Sequence, residues 1–200
     1  MTPDELLRIA PGFGDAALDS QRVFRAVLRA LAQPGQLQDL SGAVTPPPGC
    51  GAAAAAVLLA LLDPDCALWL APTLRATSAA AWLRFHTGCR VVAAPGQADF
   101  VWAAHPDELP RLDALAQGSE FDPETAATCV LEVPQLRAGA GWTLRGPGIR
   151  DAQRLAADAL GADFVSQWQA NHARFPRGVD LLLARGTSLA GLARTTCIEG

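Results

Sequence analysis

Lysine and tyrosine are both missing from this 200-residue sequence, and isoleucine occurs three times. All 16 basic residues are therefore arginine. Without an ε-amine the chain cannot form a lysine Schiff base, hold pyridoxal phosphate covalently or offer a P-loop lysine to a nucleotide. Recognition of anions falls to guanidinium groups, backbone N–H groups or metals. Charge is sparse as well, at 18% of residues with a formal net charge of −4. That balance speaks against nucleic acid or an anionic membrane as the partner.

Other absences narrow the chemistry further. The five cysteines (Cys50, Cys66, Cys89, Cys129 and Cys197) are odd in number, widely scattered and form no CxxC pair. They read as reduced thiols rather than a disulfide framework or a zinc ribbon. His86, His105 and His172 show neither HExxH nor HxH spacing, so no metal centre is expected. No GxSxG elbow occurs, and apart from Cys89, three residues after His86, no cysteine has a histidine nearby in sequence, which leaves serine and cysteine nucleophiles unsupported. The longest apolar run, Ala52 to Leu62, is 11 residues, against the roughly 20 that a spanning helix needs. The start, Met1-Thr2-Pro3-Asp4-Glu5, is acidic and lacks the pattern of a signal peptide. A soluble, cytoplasmic protein is expected.

What the chain has in abundance is apolar material. Hydrophobic residues make up 50%, with 40 alanines, and there are 18 glycines besides. Such a chain folds as one domain over 1–200, with a helical segment at about 15–62 packed on an α/β part, and buries roughly 70% of its unfolded surface. Apolar surface can remain for a partner.

From Ser20 onward Val23, Phe24, Val27, Leu28 and Leu31 recur at helical spacing until Pro34-Gly35. A stiff proline-rich connector leads to an alanine-rich helix from about Gly51 to Leu62. Ala67 to Ala71 is a short apolar run between turn residues and predicts a buried strand. Thr77 or Ser78 can cap a helix running through Trp82 and Phe85 to Gly88. Strands are expected at Arg90–Ala93, Asp99–Ala103, Thr128–Val133 and Gly141–Arg145, with a short helix over Pro106–Gln117. Helical material is expected over Asp151–Ala173. Val179–Ala184 and Leu189–Leu192 form a hairpin around Arg185-Gly186-Thr187-Ser188. Helices first, then mixed strands and helices, predict an α/β fold with a mixed sheet flanked by helices.

Four segments can carry chemistry, and each has a plainer use. Leu83-Arg84-Phe85-His86-Thr87-Gly88 places a guanidinium for phosphate and an imidazole for proton exchange, or simply closes a helix. Leu144-Arg145-Gly146-Pro147-Gly148-Ile149-Arg150 can turn N–H groups and two arginines towards an anion, or make a tight turn; it is not GxGxxG. In Phe175-Pro176-Arg177-Gly178-Val179-Asp180 an acid enters an apolar strand and needs a partner. Ala193-Arg194-Thr195-Thr196 joins one guanidinium to two hydroxyls, which suits phosphate, carboxylate or a structural turn. The candidates are thus His86 for acid–base work and Arg84, Arg145, Arg150, Arg194 and Thr195 for binding substrate.

Taken in order, Ser20-Gln21-Arg22-Val23-Phe24-Arg25 with Gln33-Pro34-Gly35, Leu83-Arg84-Phe85-His86-Thr87, Gly146-Pro147-Gly148-Ile149, Phe175-Pro176-Arg177-Gly178-Val179-Asp180 and Arg194-Thr195-Thr196 resemble the PhnH subunits of the carbon–phosphorus lyase system. The resemblance spans about residues 20 to 196, and departs where Ala193 stands in place of a proline. It implies a part in bacterial phosphonate breakdown, where an assembly displaces adenine from ATP with an alkylphosphonate to give ribose 1-phosphonate 5-triphosphate. It also implies a fold like a small type I pyridoxal-phosphate transferase lacking the cofactor and its lysine. A homodimer joined to G, I and J subunits is implied too. It supplies no catalytic residues for this subunit, so two readings stand: a structural scaffold within the complex, or a chain whose arginines and histidine contribute directly to nucleotide binding or catalysis in that exchange, with ATP and alkylphosphonate as its ligands.

Overall fold

Asp15 starts the first helix, because its carboxylate accepts hydrogen bonds from the N–H groups of Ala17 and Leu18 at 3.0 and 2.9 Å. Helix α1 then runs Ala16–Ala32. The computed structural model describes residues 9–199, so the acidic start Met1–Glu5 lies outside the described residues. The buried face of α1 is Val23, Ala26, Val27 and Ala30. Phe24 and Leu28, which helical spacing groups with the core, are 46% and 50% exposed. The inward face is made of smaller side chains because the helix lies close against the sheet. A Cβ on Gly191 would stand 2.5 Å from the carbonyl oxygen of Ala30, so bulky residues have no room there.

Helix α2, Ala52–Leu61, has no polar face, and residues Ala53 to Leu58 are all buried. A helix apolar on every side belongs inside. It packs against α1 and against the sheet strands introduced next. Those strands are β1 (Gln38–Asp39), β2 (Ala67–Leu70), β3 (Arg90–Val91), β4 (Phe100–Ala103), β5 (Thr128–Glu132), β8 (Asp180–Arg185) and β9 (Ser188–Leu192). Their order is β1-β9-β8-β5-β4-β2-β3. From β3 to β8 the pairing is parallel, and β8–β9 and β9–β1 are antiparallel. The expected mixed sheet flanked by helices is therefore present. β2 is buried along its whole length, as a covered parallel strand must be. The expected hairpin joins β8 to β9 through Gly186-Thr187, with Gly186 at φ +57°.

Helix α3, Pro72–Arg75, and helix α4, Ala79–Thr87, follow β2. Ser78 occupies the cap position of α4 without a side-chain bond, and it is the Thr77 hydroxyl that accepts the N–H of Ala79 at 3.1 Å. Gly88 ends α4 in the left-handed region at φ +76°.

A second sheet is antiparallel, with β6 (Leu136–Arg145) between β10 (Cys197–Glu199) and β7 (Gln153–Ala157). This sheet corrects the helix expected over Asp151–Ala173. Its first part is β7, held by backbone pairing to β6, and only Phe164–His172 is helical (α5). The Pro106–Gln117 helix is also absent. Two 3-10 turns, Pro106–Glu108 and Leu112–Ala114, take its place, separated by Pro110, which lacks an N–H and disfavours helical backbone in the residue before it. One cluster of buried apolar residues links α1, α2, α4, α5 and both sheets. No described helix is long and apolar enough to cross a membrane.

Candidate functional site

The candidate arginines and histidine do not gather at one place. His86 sits in the last turn of α4, where its Nε2 is bonded to the carbonyl oxygen of Ala10 at 3.0 Å. Its ring meets Trp82 and Phe85 edge-on at centroid distances of 5.4 and 5.0 Å. Trp82 donates its indole N–H to the same Ala10 oxygen at 2.9 Å, and Gly12 lies against the imidazole so closely that a Cβ would be 3.1 Å from Nδ1. His86 thus ties residues 10–12 to α4. Arg84, one residue from Phe85, is exposed and lines a cavity of about 900 Å³ with Ala10, Trp82, Phe85, Arg90 and Val91. Two guanidinium groups and the exposed Phe85 ring on one cavity wall suit an anion with a flat ring.

The other motifs converge on a structural joint. A Cβ on Gly146 would stand 2.7 Å from the carbonyl oxygen of Thr195, and one on Gly148 would collide with the carbonyl of Ala32, just before Gln33-Pro34-Gly35. Gly35, at φ +85°, lies against Leu144 and Gln153. So the turns at 33–35, 146–149 and 194–196 meet where α1, β6 and the chain leading into β10 come together. Arg145 is paired with Glu199 at 3.0 Å and donates to the Asp151 carbonyl at 2.7 Å. Arg150 is exposed in the loop that follows.

Arg194 is the most engaged of them. It is bonded in bidentate fashion to Asp180, with Nη2–Oδ2 at 2.6 Å, and gives Nη1 to the carbonyls of Pro123 and Pro176 at 2.7 and 3.3 Å. Asp180, the acid entering an apolar strand, has its partner here. Thr195 is half-buried beside them, and the Thr196 carbonyl accepts the Trp168 indole N–H at 2.8 Å. The Thr196 hydroxyl is buried without a hydrogen-bond partner.

Sequence reasoning missed a carboxylate at the carboxyl edge of the parallel sheet. The chain passes from β2 to β3 on one side and then to β4 on the other, and ligands in open α/β sheets bind outside the strand ends at such a switch. Glu132 ends β5 nearby. Its Oε1 accepts the Trp102 indole N–H at 3.0 Å and the Gly51 N–H at 3.1 Å, at the start of α2. Burial raises its carboxyl above the usual glutamate range, against the lowering pull of those two donors and of His105. Burial likewise raises the thiol of Cys50, which contacts the Thr77 hydroxyl at 3.8 Å. A carboxyl poised this way can hold or release a proton. The mouth of the edge is bridged, however, since Glu108 accepts from both the Thr73 N–H and the Thr73 hydroxyl. The sequence signal was slight: an acid closing an otherwise apolar strand.

Among the described residues no group of three or more His, Cys, Asp and Glu side chains is placed to hold a metal ion. All five cysteines are free. Cys129 is fully buried, and burial together with the Asp180 charge pushes its thiol up to about 12.

Comparison with known proteins bears out the family resemblance. The family model described as "Bacterial phosphonate metabolism protein (PhnH)" matches residues 11–199. A protein of Rhizobium meliloti (strain 1021), the "Alpha-D-ribose 1-methylphosphonate 5-triphosphate synthase subunit PhnH", is 37% identical over 187 residues, covering 94% of each chain. The "Putative C-P lyase subunit protein HtxG" of Stutzerimonas stutzeri is 34% identical over 180 residues, covering 90% of this chain and 85% of that one. With a match that takes in both sheets and every turn of the central joint, the chain belongs to the PhnH family of bacterial phosphonate metabolism proteins.

Proposed function

We propose that this chain is a subunit of the complex that forms ribose 1-phosphonate 5-triphosphate from ATP and an alkylphosphonate, and that its part there is assembly. Full-length similarity to a named synthase subunit and to a carbon–phosphorus lyase subunit supports the first statement. The second rests on one observation: Arg194, Arg145 and the Nε2 of His86 are bonded within the chain, to Asp180, to Glu199 and the Asp151 carbonyl, and to the Ala10 carbonyl. Groups so engaged hold the fold and are poor clamps for a triphosphate. In this reading the chain works as a homodimer in the cytoplasm, bound to G, I and J subunits. Its fold is that of a small type I pyridoxal-phosphate transferase without the cofactor, in keeping with a sequence that has no lysine.

A second reading is favoured by the cavity beside α4. Arg84 and Arg90, the latter also donating to the Asp65 carbonyl at 3.1 Å, offer charge for phosphates, and the exposed Phe85 ring offers a surface for a purine. The two readings part in one experiment, with the complex reconstituted from the G, I and J subunits and this chain carrying Arg84→Ala or Arg90→Ala. The assembly reading expects intact complexes that release adenine at the wild-type rate. Intact complexes slowed about a hundredfold, the cost of removing one transition-state donor, would overturn it.

A further inference from the structure

Two phenylalanines stand on the surface with no core contact to account for them: Phe121 is 93% exposed and Phe175 is 61% exposed. A single exposed ring is unremarked on most proteins, but these two share one rigid mount. Phe121 rides a loop closed at its base by the bridge between Gln117 and Ala126. Inside the loop the Ser119 hydroxyl accepts the N–H groups of Phe121 and Asp122 at 3.2 and 2.8 Å, and Thr125 donates its hydroxyl to the Asp122 carbonyl at 2.8 Å. Gly118 turns in at φ +68°, where a Cβ would stand 2.9 Å from the Pro123 carbonyl.

Phe175 rides the neighbouring turn, and the two are joined three times. The Gly178 N–H donates to the Gln117 carbonyl at 2.9 Å, Arg174 donates to the Gln117 side-chain oxygen at 3.0 Å, and Arg194 donates through one nitrogen to Pro123 and Pro176. The Arg194 guanidinium is itself fixed by Asp180. Both rings are therefore presented from loops already ordered, which lowers the entropy lost when a partner binds. Exposed aromatic side chains on ordered loops are the common anchors of protein interfaces.

The charge around the first ring indicates what it meets. Glu120, Asp122 and Glu124 are exposed around Phe121, and among the described residues none of them makes a salt bridge. We propose that Phe121 and Phe175 anchor this chain to a different protein subunit, whose surface offers an apolar socket rimmed by arginine or lysine. The proposal rests on the assembly reading and gives it a place on the molecule. A membrane or nucleic acid would bring phosphates against three carboxylates. A second copy meeting it about a two-fold axis would bring the same collar of carboxylates against itself.

The test measures binding of the intact chain to co-expressed G, I and J subunits, for the wild type, Phe121→Ala, Phe175→Ala, the double variant and Glu120→Gln/Asp122→Asn/Glu124→Gln. Because both rings are exposed, the variants should melt with the wild type, and the melting curve verifies this. Each ring removed should weaken binding about tenfold or more, and the neutralised collar should slow association and flatten its salt dependence. If folded single and double variants bind as the wild type does, the surface is wrong while the assembly reading stands. If the wild type itself fails to bind, the assembly reading falls and takes the surface with it. If the substitutions dissolve only a self-associated form of this chain, the partner is a second copy and the proposal is overturned.

Discussion

Arg194 and Asp180 show how a residue can be singled out correctly and its use remain hidden. The sequence marks Asp180 as an acid that needs a partner and Arg194 as a guanidinium that needs an anion. They satisfy each other across 14 residues, at 2.6 Å, with both side chains mostly buried. No local spacing announces a pair that only the β8–β9 hairpin brings together. Arg194→Ala would remove the guanidinium from Asp180, which keeps only the N–H of residue 194, and from the Pro123 and Pro176 carbonyls, so chemical denaturation should show a loss of about 3–5 kcal/mol. A loss under about 1 kcal/mol would mean that water replaces the guanidinium freely. Glu132 behaves in the opposite sense. Burial raises its carboxyl in the folded state above 4.5, the unfolded value. The folded protein therefore holds that proton more tightly, and stability falls as pH rises from about 4.5 through the folded value. Glu132→Gln keeps an acceptor for Trp102 and Gly51 while removing the titration. Its stability should be flatter over that range and at least equal to wild type at pH 7. A variant that keeps the wild-type slope would move the titration to another group.

At the level of elements, the apolar runs were easily legible and the contacts that select among faces were not. β2, α2 and the β8–β9 hairpin follow from composition and turn residues, because a short apolar run or an apolar helix has no stable place except inside. The buried face of α1 could not be read that way. Phe24 and Leu28 are more hydrophobic than Ala26 and Ala30, yet the alanines face inward because Gly191 lets β9 approach the helix backbone. Gly191→Ala should push α1 off the sheet and cost about 1–3 kcal/mol, as overpacking does. Gly42→Ala is the comparison: nothing lies within 4 Å of its Cβ position, so only the strain of φ +71° remains, about 1–2 kcal/mol. If Gly191→Ala keeps the wild-type stability, steric crowding is not what sets the helix position. The segment 151–173 was misread because its alanines favour a helix locally, whereas pairing with β6 decides β7 and Ala159 turns the chain at φ +66°.

Over the whole molecule, the absence of lysine has a directly measurable counterpart. An amine-acylating reagent meets the α-amino group and no side-chain amine, so the intact mass should rise by a single addition. Two additions under conditions selective for amines would contradict this. The candidate site was less legible than the fold for a related reason. Motifs that recur in a family can be retained for the joints they build, and here the turns at 33–35, 146–149 and 194–196 interlock. The Phe121 and Glu132 positions carry no motif at all, and only their exposure and burial in three dimensions draw notice.

The strand order carries a consequence for synthesis. β8 and β9, near the end of the chain, lie between β5 and the early strand β1. While the polypeptide emerges from the ribosome, β5 presents a bare hydrogen-bonding edge until residues 180–185 arrive, and β1 has nothing to pair with until residue 188 does. A nascent chain halted before that point is one edge short of closure, and shielding by a chaperone or a waiting subunit matters most at that stage.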